Sequence, residues 1–314
     1  MQLAIRAQLA FARGDLPAAE RDARAALAQL DGLALTVLRR RLRSDLLACM
    51  AVVALERGDH GEAEKLVAEL DDGPAAGCLR VALALARSEP AAELALQLEE
   101  APRGVIAPGL CWRALAALAH HAAGDEDRAL TLASDQLEDA RAWGDRSLLG
   151  RALLVRGMVD SGAERLRLVR GAVALLEDSQ ADLELARASV ELGSALRRAR
   201  RRQDARQELV RAADLAHRCG AEALAARARA DLVSVGARPR RAAFSGIASL
   251  TASELRVGRF AAAGMTNREI AQELIVSVKT VSGQLVSVYR KLDVHDRAAL
   301  AAAMQQEHEP EAVA

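Results

Sequence analysis

One short phrase recurs through the first three quarters of this chain and limits what it can build. Ala12-Arg13-Gly14-Asp15-Leu16-Pro17-Ala18-Ala19-Glu20 returns as Glu56-Arg57-Gly58-Asp59-His60-Gly61-Glu62-Ala63-Glu64. It returns again as Ala122-Ala123-Gly124-Asp125-Glu126-Asp127-Arg128-Ala129-Leu130. Each copy sits between two Ala- and Leu-rich runs of helical period. Gly ends the first helix, and Asp accepts hydrogen bonds from the opening amides of the second. Weaker copies lie near Ser88-Glu89-Pro90, Ser161-Gly162 and Arg201-Arg202-Gln203-Asp204, with Arg200 standing where the turn would normally have glycine. The anchors are about 30 to 44 residues apart, the span of one helical hairpin. A hairpin of that size buries its apolar face only by stacking on the next, which predicts an α-solenoid over residues 1–236.

Composition supports helix and little else. Ala, Leu and Arg dominate, aromatic residues make up 2% of the 314 positions, and there are seven prolines. The expected class is therefore all-α, a solenoid followed by a small second domain. The repeat resembles the tetratricopeptide repeats, although its period is irregular and that family's usual Trp and Tyr positions are mostly empty. The resemblance implies an inner concave surface that takes a peptide, protein or small-molecule effector. Trp112, in step with Leu115 and Leu118, reads as core. Trp143 reads as an anchor between hairpins. His120 and His121 read as ordinary core and surface.

Other chemistry finds no foothold. Cys49, Cys78, Cys111 and Cys219 are isolated in helical sequence, in no C-x-x-C pair, and read as small buried hydrophobes rather than zinc ligands. There is no G-x-x-x-x-G-K-[ST] phosphate loop, no strand–helix alternation, and no arrangement of nucleophile and base. No enzyme activity and no cofactor are expected. No apolar run reaches the length of a membrane span and no signal peptide is visible, so a cytoplasmic protein with no membrane contact is expected.

The stretch Leu250–Leu300 has a different character. Thr251-Ala-Ser-Glu254 and Thr266-Asn-Arg-Glu269 have the capping-box form, each before an apolar run. Gly264 falls between the two helices they would start. Ile275-Val276-Ser277 makes a turn, and Ser277 is placed to cap a third helix over about 278–292. On that helix Val281, Leu285, Val288 and Leu292 form one apolar stripe. Lys279, Gly283, Val286 and Arg290 share the opposite face, with Ser282 beside them. Small residues flanked by cations suit a helix that enters the major groove of double-stranded DNA. Short helix, turn and longer two-faced helix is the helix-turn-helix arrangement.

These residues carry a specific resemblance. Leu250, Thr251 and Glu254, then Gly264, Thr266, Asn267, Glu269, Ile270, Ala271 and Leu274, then Ser277, Thr280 and Val281, then Lys291, Leu292, Val294 and Arg297 match the LuxR-type DNA-binding domain with its spacing intact. Two positions depart from it: Gln284 replaces the usual His, and Ser253 the usual basic residue. The resemblance implies a DNA-binding transcriptional regulator. Thr266, Lys279, Thr280, Arg290 and Lys291 fall to phosphate contacts, Ser282, Gly283 and Val286 to bases, and Asn267 joins the DNA-binding set. The family's last helix, here about 295–304, implies a homodimer on DNA.

Residues 185–241 resemble the end of the helical-repeat region in the large ATP-binding regulators of the LuxR family, here without their ATPase domain. Residues 237–249, with Pro239 and Gly246, read as a linker, 250–304 as the DNA-binding domain, and 305–314 as a disordered acidic tail. Net charge is zero overall. It divides into an acidic body over 1–196, an arginine-rich stretch over 197–241 and a mildly basic DNA-binding segment. The alternative reading is a solenoid adaptor whose helix-turn-helix does not engage DNA.

Overall fold

The computed structural model describes residues 2–30, 36–100, 111–235, 250, 252–274, 276–292 and 294–305. All regular structure among them is helical, and the chain divides into two compact units, Met1–Arg238 and Pro239–Ala314. The expected linker over 237–249, the tail after 305, Thr251 and Ile275 lie outside the described residues. No described helix is long and apolar enough to cross a membrane.

The first unit contains α1 (Gln2–Arg13), α2 (Leu16–Gln29), α3 (Thr36–Arg57), α4 (His60–Ala68), α5 (Pro74–Arg87), α6 (Ala92–Glu100) and α7 (Trp112–Ala122). It continues with α8 (Glu126–Trp143), α9 (Arg146–Val159), α10 (Gly162–Glu177), α11 (Asp182–Arg198), α12 (Arg202–Arg218) and α13 (Glu222–Ser234). Consecutive helices pack against one another along the whole row.

The recurring Gly-Asp phrase is one hydrogen-bonded turn. The Gly14 amide donates to Phe11 O (2.9 Å) and the Asp15 amide to Ala10 O (2.9 Å), which closes α1 in a Schellman motif. Asp15 then accepts from the Ala18 amide at 3.0 Å and starts α2. Asp59 and Asp125 cap α4 and α8 in the same way. At Arg200 the turn forms without glycine: φ is +59°, and the Arg201 amide donates to Leu196 O at 2.9 Å. Ser88 does likewise at φ +58°. The two hydrogen bonds fix the left-handed residue whatever its side chain, at a cost of about 1–2 kcal/mol where that side chain has a Cβ.

The row of hairpins returns on itself. The turn between α1 and α2 packs on the start of α11 and on the α12–α13 turn. The Leu16 amide donates to Cys219 O at 3.2 Å, and a Cβ on Gly14 would lie 2.6 Å from the Leu183 amide nitrogen. Arg187 of α11 pairs with Glu56 of α3, and α3 also packs on α13. One apolar core accordingly joins α1–α5 to α9–α13. The inner surface expected to be concave forms a solvent-open pocket of about 480 Å³, to which α3, α5, α7, α9, α11 and α13 all contribute. Small residues make the close packing possible: a Cβ on Gly193 of α11 would fall 2.5 Å from Leu209 of α12.

One of the two tryptophans differs from expectation. Trp143 is not an anchor between hairpins: it is 81% exposed. Leu137, Ala140 and Ala152, with Leu149 and Leu153, already fill the contact between α8 and α9, and the indole is left outside it. Trp112, with Leu115 and Leu118, packs half-buried against the apolar core around α7, and the Arg113 guanidinium lies over its ring at 5.0 Å. Cys49, Cys78 and Cys219 are buried, and burial pushes their thiols up to about 12. Cys111 is half-buried. His120 is buried against Glu99 at 2.9 Å, and exposed-side His121 pairs with Glu126 at 2.9 Å.

The second unit contains α14 (Ala252–Ala262), α15 (Asn267–Glu273), α16 (Val278–Leu292) and α17 (Arg297–Gln305). Its core is Val257, Ala261, Ile270, Ala271, Val281, Leu285, Val288 and Leu300. The stripe read on the third helix is thus its buried face, with Leu292 half-buried at the end.

Candidate nucleic-acid interface

Three local devices position α16. Gly264 takes φ +89° and turns the chain between α14 and α15. Thr266 then caps α15 in a complete capping box: the Glu269 amide donates to Thr266 Oγ1 at 3.3 Å, and the Thr266 amide donates to the Glu269 carboxylate at 2.7 Å. The Thr266 backbone amide, followed by its hydroxyl, holds the Glu269 carboxyl below the usual glutamate range. At the start of α16, Ser277 Oγ accepts from the Thr280 amide at 3.0 Å.

Two polar clamps lock the helices together. Glu254 of α14 is buried and holds α16 at two points, accepting from Ser287 Oγ at 2.7 Å and from Lys291 Nζ at 2.6 Å. Asn267 at the start of α15 bridges two other helices. Its amide donates to Ser282 Oγ of α16 at 3.1 Å, and its carbonyl accepts from Arg297 of α17 at 2.6 Å. Arg297 also donates to Met265 O.

The opposite face of α16 is open. Lys279, Thr280, Gly283, Val286 and Arg290 are exposed, and nothing lies within 4 Å of a Cβ built on Gly283. Neither Lys279 nor Arg290 has an ion-pair partner among the described residues, so both charges are available to a ligand. Val286 is 68% exposed.

The nine residues read from the sequence as the DNA-binding set therefore separate. Lys279, Thr280, Gly283, Val286 and Arg290 share the open face. Thr266 is exposed but occupied by the cap of α15. Ser282 is half-buried at the edge of the face and tied to Asn267. Asn267 and Lys291 are held by other side chains of the domain. Val276 and Val278, at the entry to α16, are also exposed, 42% and 47%, and were not singled out from sequence. Their signal was a Val-x-Val pair next to a Ser cap, which reads equally well as the start of the buried stripe. Gln284 is half-buried beside the core, where the departure from the usual His is accommodated.

Comparison with known proteins agrees with this geometry. The family model described as bacterial regulatory proteins, luxR family, matches residues 248–304. The transcriptional regulatory protein LiaR of Bacillus subtilis (strain 168) is 40% identical over 60 residues, which is 19% of this chain and 28% of LiaR. The chain thus spans little more than a quarter of that relative's length. No solved structure matches the chain significantly. Residues 248–304 are a helix-turn-helix domain of the luxR family of bacterial regulatory proteins.

Proposed function

We propose that the chain is a cytoplasmic transcriptional regulator that reads double-stranded DNA with α16. The observation that carries this is the division of α16 into a buried Val281/Leu285/Val288 face and an open face. On the open face, unpaired Lys279 and Arg290 flank Gly283 and Val286. Glycine lets the helix backbone approach base edges, the cations meet phosphates at either end, and Val286 meets a thymine methyl. Few side chains there donate hydrogen bonds to bases, so DNA shape contributes to selectivity. Two copies paired through α17 place their α16 helices in successive major grooves about 10 base pairs apart. The helical-repeat unit serves as the sensor that governs this pairing.

The test is binding of the whole chain to a genomic fragment pool at two salt concentrations. A discrete site with affinity falling steeply as salt rises supports DNA reading. In K279E/R290E, loss of at least about 100-fold in affinity at low salt and a shallower salt slope, by about two contacts, are expected. Unchanged DNA binding by this variant would overturn the assignment of the open face of α16, and no binding by the unaltered chain would leave the adaptor reading in its place. Selection with Val286→Lys should return a different preferred site.

A further inference from the structure

The row of hairpins, returning on itself, forms a chamber lined by both apolar and charged side chains. Leu85 of α5, Leu115 and Leu118 of α7, and Val155 and Met158 of α9 are among the apolar ones. Among the charged ones Arg187 pairs with Glu56 and with Glu184 at 2.8 Å, Arg151 lies 3.5 Å from Glu184, and Arg227 pairs with Glu191. Burial alone would raise the Glu184 carboxyl, but Arg151 and Arg187 outweigh it and hold it low, so the group stays ionised. Three arginines thus answer three glutamates within the lining, and no net charge is left to recruit an ion. The Gln136 carboxamide also lines the chamber, and its oxygen is buried with no hydrogen-bond partner.

Stability alone gives little reason for this arrangement. A buried ionic network roughly breaks even against well-packed apolar side chains, and a void beside it forfeits dispersion contacts. A chamber of about 480 Å³, mostly apolar with a few convergent polar groups, is the usual form of a small-molecule site.

We propose that this chamber binds an uncharged amphipathic small molecule. Its apolar body lies on Leu85, Leu115, Leu118 and Met158, and its hydrogen-bonding end meets Gln136 and the Arg151–Glu184–Arg187 network. This rests on the sensor reading of the helical-repeat unit and gives that sensor its ligand class. The wall includes Leu224 and Arg227 of α13, the last described helix before the DNA-binding unit in sequence.

The experiment titrates the full chain with two fluorescent probes, the uncharged N-phenyl-1-naphthylamine and the anionic 1-anilinonaphthalene-8-sulfonate. Two chamber-filling variants, Ala114→Trp and Ala86→Trp, are titrated beside it, and circular dichroism selects those that keep the native helix content. Saturable binding of the uncharged probe, at least tenfold tighter than the anionic one and weakened at least tenfold in a folded variant, is the expected result. Equal binding in the folded variants, preference for the anionic probe, or no binding of the uncharged probe overturns the proposal. DNA affinity of the same variants is read separately. If it is unchanged while probe binding is lost, the chamber stands and the sensor reading falls. If DNA affinity changes but the uncharged probe never binds, the sensor reading survives without this ligand class.

Discussion

Glu254 on α14 and Lys291 at the end of α16 form a partly buried ion pair of 2.6 Å, their side chains 11% and 23% exposed. The same carboxylate accepts from Ser287 one turn earlier on α16. Lys291 therefore acts as a strut that fixes the tilt of α16 on α14. Lys291→Ala should destabilise the DNA-binding unit by about 1–3 kcal/mol, because it leaves a buried carboxylate short of a charged donor. The salt slope of DNA binding should change less than in Lys279→Ala. Thermal melts beside anisotropy titrations separate the two effects; an equal slope change in both variants would return Lys291 to the phosphate set.

Asn267 offers a second separation of scaffold from reader. Its side chain joins α16 through Ser282 and α17 through Arg297, so Asn267→Ala should cost about 1–3 kcal/mol and loosen both contacts. Lost DNA affinity should be recovered on cooling, when the folded fraction is restored. A persistent loss with unchanged melting temperature would make Asn267 a direct contact.

Two glycines with the same backbone conformation should respond unequally to alanine. Gly14 and Gly124 sit at φ +87° and +84° in equivalent turns. A Cβ at Gly124 meets nothing within 4 Å, whereas at Gly14 it meets the Leu183 amide nitrogen at 2.6 Å. Gly124→Ala should cost about 1–2 kcal/mol, the left-handed penalty alone. Gly14→Ala adds overpacking of about 1–3 kcal/mol. Denaturant midpoints of the two variants measure the difference.

The capping box of α15 has a pH signature. The Glu269 carboxyl is held below its ordinary value of 4.5, first by the Thr266 amide and then by its hydroxyl. A depressed folded value means that the ionised cap stabilises the folded state above the unfolded value and is lost as pH falls through the folded one. Amide resonances of Thr266 and Asn267 should therefore shift together with the Glu269 carboxyl below about pH 4.5. In Glu269→Gln that coupled transition should vanish.

Much of this was legible in the sequence because it is local chemistry. Glycine followed by aspartate specifies where one helix ends and the next begins, and four apolar residues at helical spacing specify the inner face of α16. Partnerships between distant residues were not legible. Lys291 looks as free as Lys279 in the string, and only the packing of α14 on α16 brings Glu254 to it. Asn267 likewise belongs to the motif, but nothing in its neighbours announces Ser282 and Arg297. Closure of the hairpin row depends on the small cumulative rotation from each hairpin to the next, which no single turn encodes. The exposure of Trp143 follows from its neighbours Leu137 and Ala140 having filled the interface first.

The seam between Leu16 and Cys219 bears on how the molecule is made. In an open array each hairpin is complete once its successor has been synthesised, and folding can follow the ribosome. Here the first hairpin waits, with part of its packing surface bare, until α11 and α13 emerge. The helical unit has the local contacts of a fast folder together with a late, long-range step that completes it. That waiting interval is where misassembly between neighbouring chains would begin, by exchange of the first hairpin of one copy into the seam of another.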